Sequence, residues 1–580
     1  MTIHTEAVAQ PTLCAAFQRA VRVEDPDAIA LRTFGGEGFE AVTWGMFGRR
    51  VRAVAEGLHA LGVGPGDTVA LLLRNRPTFN IVDAAVLHLG AVPFSIYPTE
   101  PVEQMLALVL DSGAEVLVTE SRFAEQANAV AERTAQVRHV VLDGPGEGNR
   151  IISLDELERL RDREFDFEAA WRAVTPESIA TLVYTSGTTG APKAVQSPHR
   201  AVMHSLAGVE ALAPSRSPHR GLSFLPAAHI TDRFICHYAT MALGGSLTCV
   251  PDPDDLWAAI GDARPTRFFG VPRTYEKLAD RARAIIDADP ELREAFAASL
   301  DGVRAGRTAG EADERLGTVR EQLGLDQVEW LAVAAAPTSY AVLEFHHAIG
   351  NNLAELWGMS EFMMAIMNPP ARVKLGTVGV PLPSVEARIA EDGELLLRGA
   401  HACAGYRNDP EKTAAMRDGD GWAHSGDLAS VDADGYFKII GRKKEQMINS
   451  SGKNLFPAKI EAAIMDASPL LGHVYSIGDR RRYVTALIVL DPVELHAFAE
   501  RHGLHGGTEE LAAAPEVRAE VERAVAEGNA KLSRVEQVRA YKVLPADWQP
   551  GGDEVTNTMK LRRAKIDEKY AAEIEALYAG

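Results

Sequence analysis

Residues 181–195 read T-L-V-Y-T-S-G-T-T-G-A-P-K-A-V. The short run 181–184 has the make-up of a buried strand, and it stops abruptly at Thr185, Ser186, Gly187, Thr188, Thr189 and Gly190. Glycines let backbone N–H groups converge on an anion, and hydroxyls add donors at the same radius. Pro192 closes the turn, and Lys193 supplies a point charge suited to a phosphate oxygen. This stretch therefore predicts a loop that wraps a polyphosphate at the end of a strand. It is not the common phosphate-loop motif, because no Gly-Lys-Ser/Thr follows four spacer residues. A flexible linker is the competing reading, but a linker seldom sits between an apolar strand and a Pro-Lys closure.

Around this loop the chain alternates. Residues 42–44 read as a strand leading into an amphipathic helix at 46–62, and a Gly/Pro turn at 61–67 precedes a buried strand at 68–73. A helix at 82–89 and strands at 91–96, 116–119 and 140–142 follow. Such alternation predicts α/β layering with parallel strands. At 580 residues the chain exceeds what one core can organise, so two or more domains are expected. A net charge of −20 disfavours a nucleic-acid partner, which needs a basic face. Cys14, Cys236, Cys249 and Cys403 have neither metal-ligand spacing nor a disulfide framework, which fits a reducing, cytoplasmic setting. The first residues lack the basic and apolar regions of a signal peptide. No run approaches about 18 apolar residues, so membrane contact is expected to be peripheral at most.

The loop Y-T-S-G-T-T-G-x-P-K resembles the signature of the adenylate-forming superfamily, which comprises acyl-CoA synthetases, luciferases and peptide-synthetase adenylation domains. The resemblance extends from about residue 30 to residue 575. Leu356-Trp357-Gly358-Met359-Ser360-Glu361 is similar to a pattern usually written Tyr-Gly-Met-Thr-Glu. Its chemistry is legible: the aromatic offers adenine a face, Ser360 offers the α-phosphate a hydroxyl, and Glu361 offers Mg²⁺ a hard oxygen. A core aromatic followed by a capping Ser-x-Glu is the competing reading. Ala334-Ala335-Ala336-Pro337 resembles the Gly-Ala-Ala-Pro turn beside the adenine. The resemblance gives Asp427 and Arg442 the ribose, Lys444 the hinge between two domains, and Lys560 the catalytic lysine. Ser450-Ser451-Gly452-Lys453-Asn454 resembles a loop usually written Ser-Gly-Gly-Lys-Asn that lines the tunnel of the thiol acceptor, with Ser451 as the departure.

Within the superfamily, long-chain fatty acyl-CoA synthetases are the nearest in flavour. The segments that carry this are Ile96-Tyr97-Pro98-Thr99, Leu225-Pro226 with His229 and Asp232-Arg233, and Gly270-Val271-Pro272-Arg273. His229 is expected to line the junction of the acyl and nucleotide pockets. The resemblance implies a large α/β N-terminal domain, 1–441, binding ATP and the acid, and a small mobile α+β lid, 442–580. It implies a fatty acid, ATP, Mg²⁺ and coenzyme A as the acceptor. A carrier-protein thiol or an amine is the first alternative acceptor, and a non-catalytic nucleotide-binding homologue is an alternative of another class. The charged stretch 280–325 is expected to be a solvated helical insertion. Oligomeric state is not legible.

Overall fold

A computed structural model of the chain describes every residue other than 1–3, 36–40, 149, 161, 163, 186–192, 550, 557–559 and 580. The largest sheet runs in the order Gly405–Tyr406, Lys193–Pro198, Ile179–Thr185, Val92–Ser95, Thr68–Leu72, Val116–Glu120, His139–Asp143, Ile151–Ser153. From Ile179–Thr185 to Ile151–Ser153 every neighbouring pair is parallel, and helices Pro77–His88, Val102–Ser112 and Ala124–Glu132 supply the crossovers. In this sheet the expectation of parallel strands fails at one edge. Gly405–Tyr406 is antiparallel to its neighbour. Lys193–Pro198 returns antiparallel to Ile179–Thr185, pairing Thr185 with Lys193. Link length does not set this direction, because the seven residues 144–150 join the parallel pair His139–Asp143 and Ile151–Ser153. The helix expected at 82–89 begins earlier, at Pro77, where proline's fixed φ suits the first turn.

A second sheet aligns Arg220–Ser223, Ser246–Cys249 and Ile29–Thr33 in parallel, with Ala41–Thr43 antiparallel at its edge. A third aligns Arg267–Gly270, Trp330–Val333 and Leu353–Met359 in parallel and then reverses into Met363–Met367. The stretch 280–325 is helical, as Pro272–Ala288, Pro290–Arg304 and Gly317–Gln322. It is less solvated than expected, because Leu292, Ala295, Leu316 and Val319 bury against the third sheet. An antiparallel sheet of Val385–Ile389, Glu394–Gly399, Ala423–Val431 and Phe437–Arg442 follows.

Beyond it, Leu471–Ile477, Val484–Leu490 and Val538–Leu544 form a small three-stranded sheet. Helices Pro457–Met465 and Pro515–Ala530 cover it, and their Ile460, Ile464 and Val521 meet Val474, Val484 and Ile488 in a core that takes no residue before Met447. The chain is thus a mixed α/β molecule with a large N-terminal portion and a small C-terminal α+β portion. Among the described residues no helix is long and apolar enough to cross a membrane.

Candidate active site

The singled-out segments emerge where parallel strands end, the place at which open α/β sheets leave a crevice. Residue 185 ends the strand that leads into the glycine loop, and Ala334 to Pro337 leave the end of Trp330–Val333. Residues 224–229 leave the end of Arg220–Ser223, and Ser360 and Glu361 form the tip of the hairpin joining Leu353–Met359 to Met363–Met367. That tip is tight. A Cβ on Gly358 would lie 2.5 Å from the Met363 carbonyl oxygen, so glycine is required there. Ala335 holds φ at +75°, a left-handed conformation that a non-glycine residue keeps only when its surroundings enforce it.

Glu361 is fixed by its backbone carbonyl, which accepts the Cys403 N–H at 2.9 Å, and by its side chain. The Tyr406 hydroxyl donates to Glu361 Oε1 at 2.7 Å. The same tyrosine ring lies under the Lys193 ammonium, whose Nζ is 5.1 Å from the ring centroid. Tyr406 pairs with Val195 at the sheet edge, so it stands beside the strand that Lys193 opens. One aromatic side chain thus ties an anion and a cation into a single unit.

Asp427 and Arg442 face each other directly across an antiparallel pair. Arg442 Nε lies 3.0 Å from Asp427 Oδ1, and the Trp357 indole N–H donates to Asp427 Oδ2 at 2.9 Å. Burial raises the Asp427 carboxyl above the usual carboxylate range, and Arg442 opposes the rise. Trp357 is 8% exposed and packs with Phe362, Ala365, Ile366, Leu395 and Leu397.

His229 caps the short helix Ile230–Asp232, and its Nδ1 accepts the Thr231 N–H at 3.2 Å. The ring proton therefore sits on Nε2. Burial and the nearby Lys560 ammonium hold the imidazole down to about 4, so His229 is neutral near pH 7. Asp232 and Arg233, adjacent in sequence, part company. Asp232 accepts from Ser223 Oγ at 2.7 Å and Asn75 Nδ2 at 3.3 Å, and burial pushes it up to about 7. Arg233 is 1% exposed, pairs with Asp83, and donates to Ser95 Oγ and the Tyr238 hydroxyl, each at 3.1 Å. Both are buried.

Lys560 arrives from the small C-terminal portion. Its backbone N–H donates to Thr556 Oγ1 at 3.1 Å, and its carbonyl accepts the Thr556 N–H at 2.9 Å. The side chain is solvent-accessible yet walled by protein, as in an open cleft. Those walls and Arg442 lower the ammonium from the usual lysine value, while Asp427, Glu445 and Glu361 pull it back. Lys560 thus feels the same groups that surround the ends of the parallel strands. The two portions also meet where Arg273 Nη2 bonds Asp491 Oδ2 at 2.7 Å.

Residues 17–407 match the family model described as AMP-binding enzyme, and residues 444–580 match the model described as AMP-binding enzyme C-terminal domain. The chain belongs to the AMP-binding enzyme family. Among its relatives is fadD11 of Mycobacterium tuberculosis, named as a fatty-acid–CoA ligase. It is 45% identical over 434 residues, which cover 72% of this chain and 76% of that protein. The long-chain-fatty-acid–CoA ligase FadD15 of Mycobacterium bovis is 33% identical over 580 residues, covering 96% of this chain and 95% of the relative. Among solved structures, the adenylation domain of a carboxylate reductase from Mycobacterium chelonae shares the fold. It has a TM-score of 0.78 and 22% identity, and the match covers 99% of this chain and 92% of that one.

In this AMP-binding enzyme the structure brings Lys193, Glu361, Asp427, Arg442, His229 and Lys560 around one cleft. Thr185 lies at the strand end, Ser360 and Gly358 lie at the hairpin tip, and Ala335 is exposed beside the cleft wall. Ser186, Gly187, Thr188, Thr189 and Gly190 lie outside the described residues. Lys444 is exposed within the turn Lys443–Glu445 that follows Arg442. Ser451 and Gly452 are exposed in the loop between Met447–Ile448 and Asn454–Leu455. The left-handed position of that loop is Gly452, at φ +73°; Ser451 is not among the described non-glycine residues with positive φ. Ser451 therefore carries no left-handed backbone strain. Its N–H bonds the Asn449 side chain at 3.0 Å. Sequence reasoning missed Tyr406 and Glu445 as parts of the arrangement, and it named Arg273 only within the segment Gly270–Arg273, without a partner. Tyr406 had a signal in its Gly-Tyr block, whereas the other two meet their partners only through tertiary folding.

Proposed function

We propose that this chain activates a medium- to long-chain fatty acid with ATP and passes the acyl group to coenzyme A. The observation that carries the reading is the placement of Lys560, borne by the C-terminal portion, in the cleft with Glu361, Asp427 and Arg442. The relatives' names supply the acid and the acceptor. A carboxylate is a poor electrophile, because its leaving group would be oxide. One carboxylate oxygen attacks the α-phosphorus and the bond to pyrophosphate breaks, giving acyl-AMP. The thiol sulfur then attacks the acyl carbonyl and AMP leaves with the electron pair.

Two anions must be held together before they react, so oriented cations and donors do the work. Lys560 bridges the acid and the α-phosphate, and Lys193 with the glycine loop takes the pyrophosphate side. Asp427 and Arg442 hold the ribose, Ser360 reaches the α-phosphate, and Ala335, Trp357 and Gly358 border the adenine. His229, neutral with its proton on Nε2, lines the join of the acyl and nucleotide pockets. Glu361 fits Mg²⁺ entering with the triphosphate: a single tethered carboxylate suits a cation that keeps its phosphate and water ligands. Among the described residues no cluster of three or more metal-ligating side chains forms a resident cage. When bound, the cation neutralises charge building on the pyrophosphate. Residues 1–441 and 442–580 are the two working domains, and the second turns about Lys444 to present Ser451 and Gly452 to the thiol.

The test is pyrophosphate release with a panel of acids, with and without coenzyme A. Release that depends on fatty acids, with acyl-CoA formed when coenzyme A is added, is expected. Release with acids of another class, or acyl-AMP that coenzyme A cannot discharge, would overturn the substrate or the acceptor respectively.

A further inference from the structure

We propose that Trp357 is a positioning residue for the ribose: its indole N–H aims the Asp427 carboxylate at the nucleotide's two sugar hydroxyls. The inference rests on the assignment of Asp427 to the ribose made above. A carboxylate offers about four lone-pair sites, two per oxygen. Here Oδ2 accepts the Trp357 indole N–H at 2.9 Å, and the Arg442 guanidinium stands beside Oδ1 as an ion pair, its Nε 3.0 Å away. At least one site on each oxygen remains, and two acceptor atoms side by side match the paired O–H groups of a vicinal diol. The Trp357 donor and the Arg442 charge thus orient the carboxylate before the sugar arrives.

The two partners of Asp427 differ in their footing. Arg442 is the last residue of its strand, opens the turn at the pivot, and has a side chain 49% exposed. Trp357 lies in the strand Leu353–Met359, beside a register shift between Trp357 and Gly358. Its ring is locked among Phe362, Ala365 and Ile366, and it is 8% exposed. A ring so enclosed is a rigid N–H carrier, and it keeps a partner on Asp427 whichever way residues beyond 442 turn. The tyrosine usual in the resembling pattern carries its O–H at the far end of a smaller ring and has no donor at the indole N–H position. The tryptophan here therefore does something that an aromatic face alone does not.

The experiment compares kcat/KM for ATP, 2′-deoxyATP and 3′-deoxyATP in the wild type, Trp357→Phe and Trp357→Tyr. Each preference is a ratio within one protein sample, so a partly unfolded variant still yields it. The wild type should prefer ATP over both deoxynucleotides. Trp357→Phe should cut that preference by roughly tenfold, the scale of one hydrogen bond to a charged group, chiefly through KM. Trp357→Tyr should behave like Trp357→Phe. If the variants weaken ATP and the deoxynucleotides equally, the ring acts only as a packing or stacking surface and the inference fails. If the wild type itself shows no preference, Asp427 does not hold the ribose, and the assignment beneath the inference fails instead.

Discussion

At the scale of single residues, Tyr406 joins two groups that the sequence presents 168 positions apart, Lys193 and Glu361, through its ring and its hydroxyl. Removing the hydroxyl leaves Glu361 without its tether. Tyr406→Phe should slow acyl-AMP formation by roughly tenfold, the effect of losing one hydrogen bond to a charged group. It should spare thioester formation from supplied acyl-AMP. Undiminished pyrophosphate release in the variant would show the tether to be irrelevant. His229 makes a second residue-scale prediction. Its imidazole is held down to about 4, so it carries no charge that could be lost as pH rises through the usual histidine range. The activity ratio of wild type to His229→Ala should stay level between about pH 5 and pH 8. A step in that ratio near the ordinary histidine value would reveal a titrating ring. Both roles were only half legible. Residue type and order point to His229 and to the Gly405-Tyr406 block, but the tautomer of His229 depends on the Thr231 N–H, which only the folded turn presents.

At the scale of elements, the loop at 449–454 settles a question that sequence leaves open. Ser451 replaces a glycine of the resembling pattern, yet the position that needs left-handed freedom is Gly452. Asn449 Oδ1 accepts the N–H groups of both Ser451 and Lys453, at 3.0 and 2.9 Å, and so shapes the loop from within. Ser451→Gly should therefore leave acyl-AMP formation unchanged and move the coenzyme A KM by about fivefold or less, the size of one net hydrogen bond. A gain well beyond that would mean that the serine obstructs the acceptor. The strand–helix alternation from 68 to 143 was legible because each crossover there contains enough residues for a helix. The return at Lys193–Pro198 was not legible, because apolar composition carries no strand direction and a seven-residue link elsewhere in the sheet joins a parallel pair. The burial of Leu292 and Leu316 was hidden by the charged residues that surround them.

At the scale of the whole molecule, the two portions are legible in motif order, while the way they meet is not. Arg273 and Asp491 are 218 residues apart and bond at 2.7 Å, and no local pattern couples them. Asp491 is held ready, because its other oxygen caps the helix Pro492–His502 through the Val493 and Glu494 N–H groups. Arg273→Ala should slow acyl-AMP formation by about fivefold or less, the scale of a partly exposed ion pair, and should not slow discharge of supplied acyl-AMP. Equal loss in both steps would place Arg273 in the site rather than at the meeting of the two portions. The proposed pivot gives a companion test: Lys444→Pro fixes φ in the turn after Arg442, so it should spare one half-reaction and stop the other.

The most direct measurement takes the two half-reactions apart in Lys560→Ala. Lys560 stands in the cleft with Glu361 and Asp427, the orientation that the proposed function gives to the first step. Acyl-AMP formation, followed by pyrophosphate release without coenzyme A, should fall by roughly a hundredfold or more, the cost of one electrostatic donor to the transition state. Acyl-CoA formation from supplied acyl-AMP should persist at close to the wild-type rate. Equal loss of both half-reactions, or undiminished adenylation, would contradict the account.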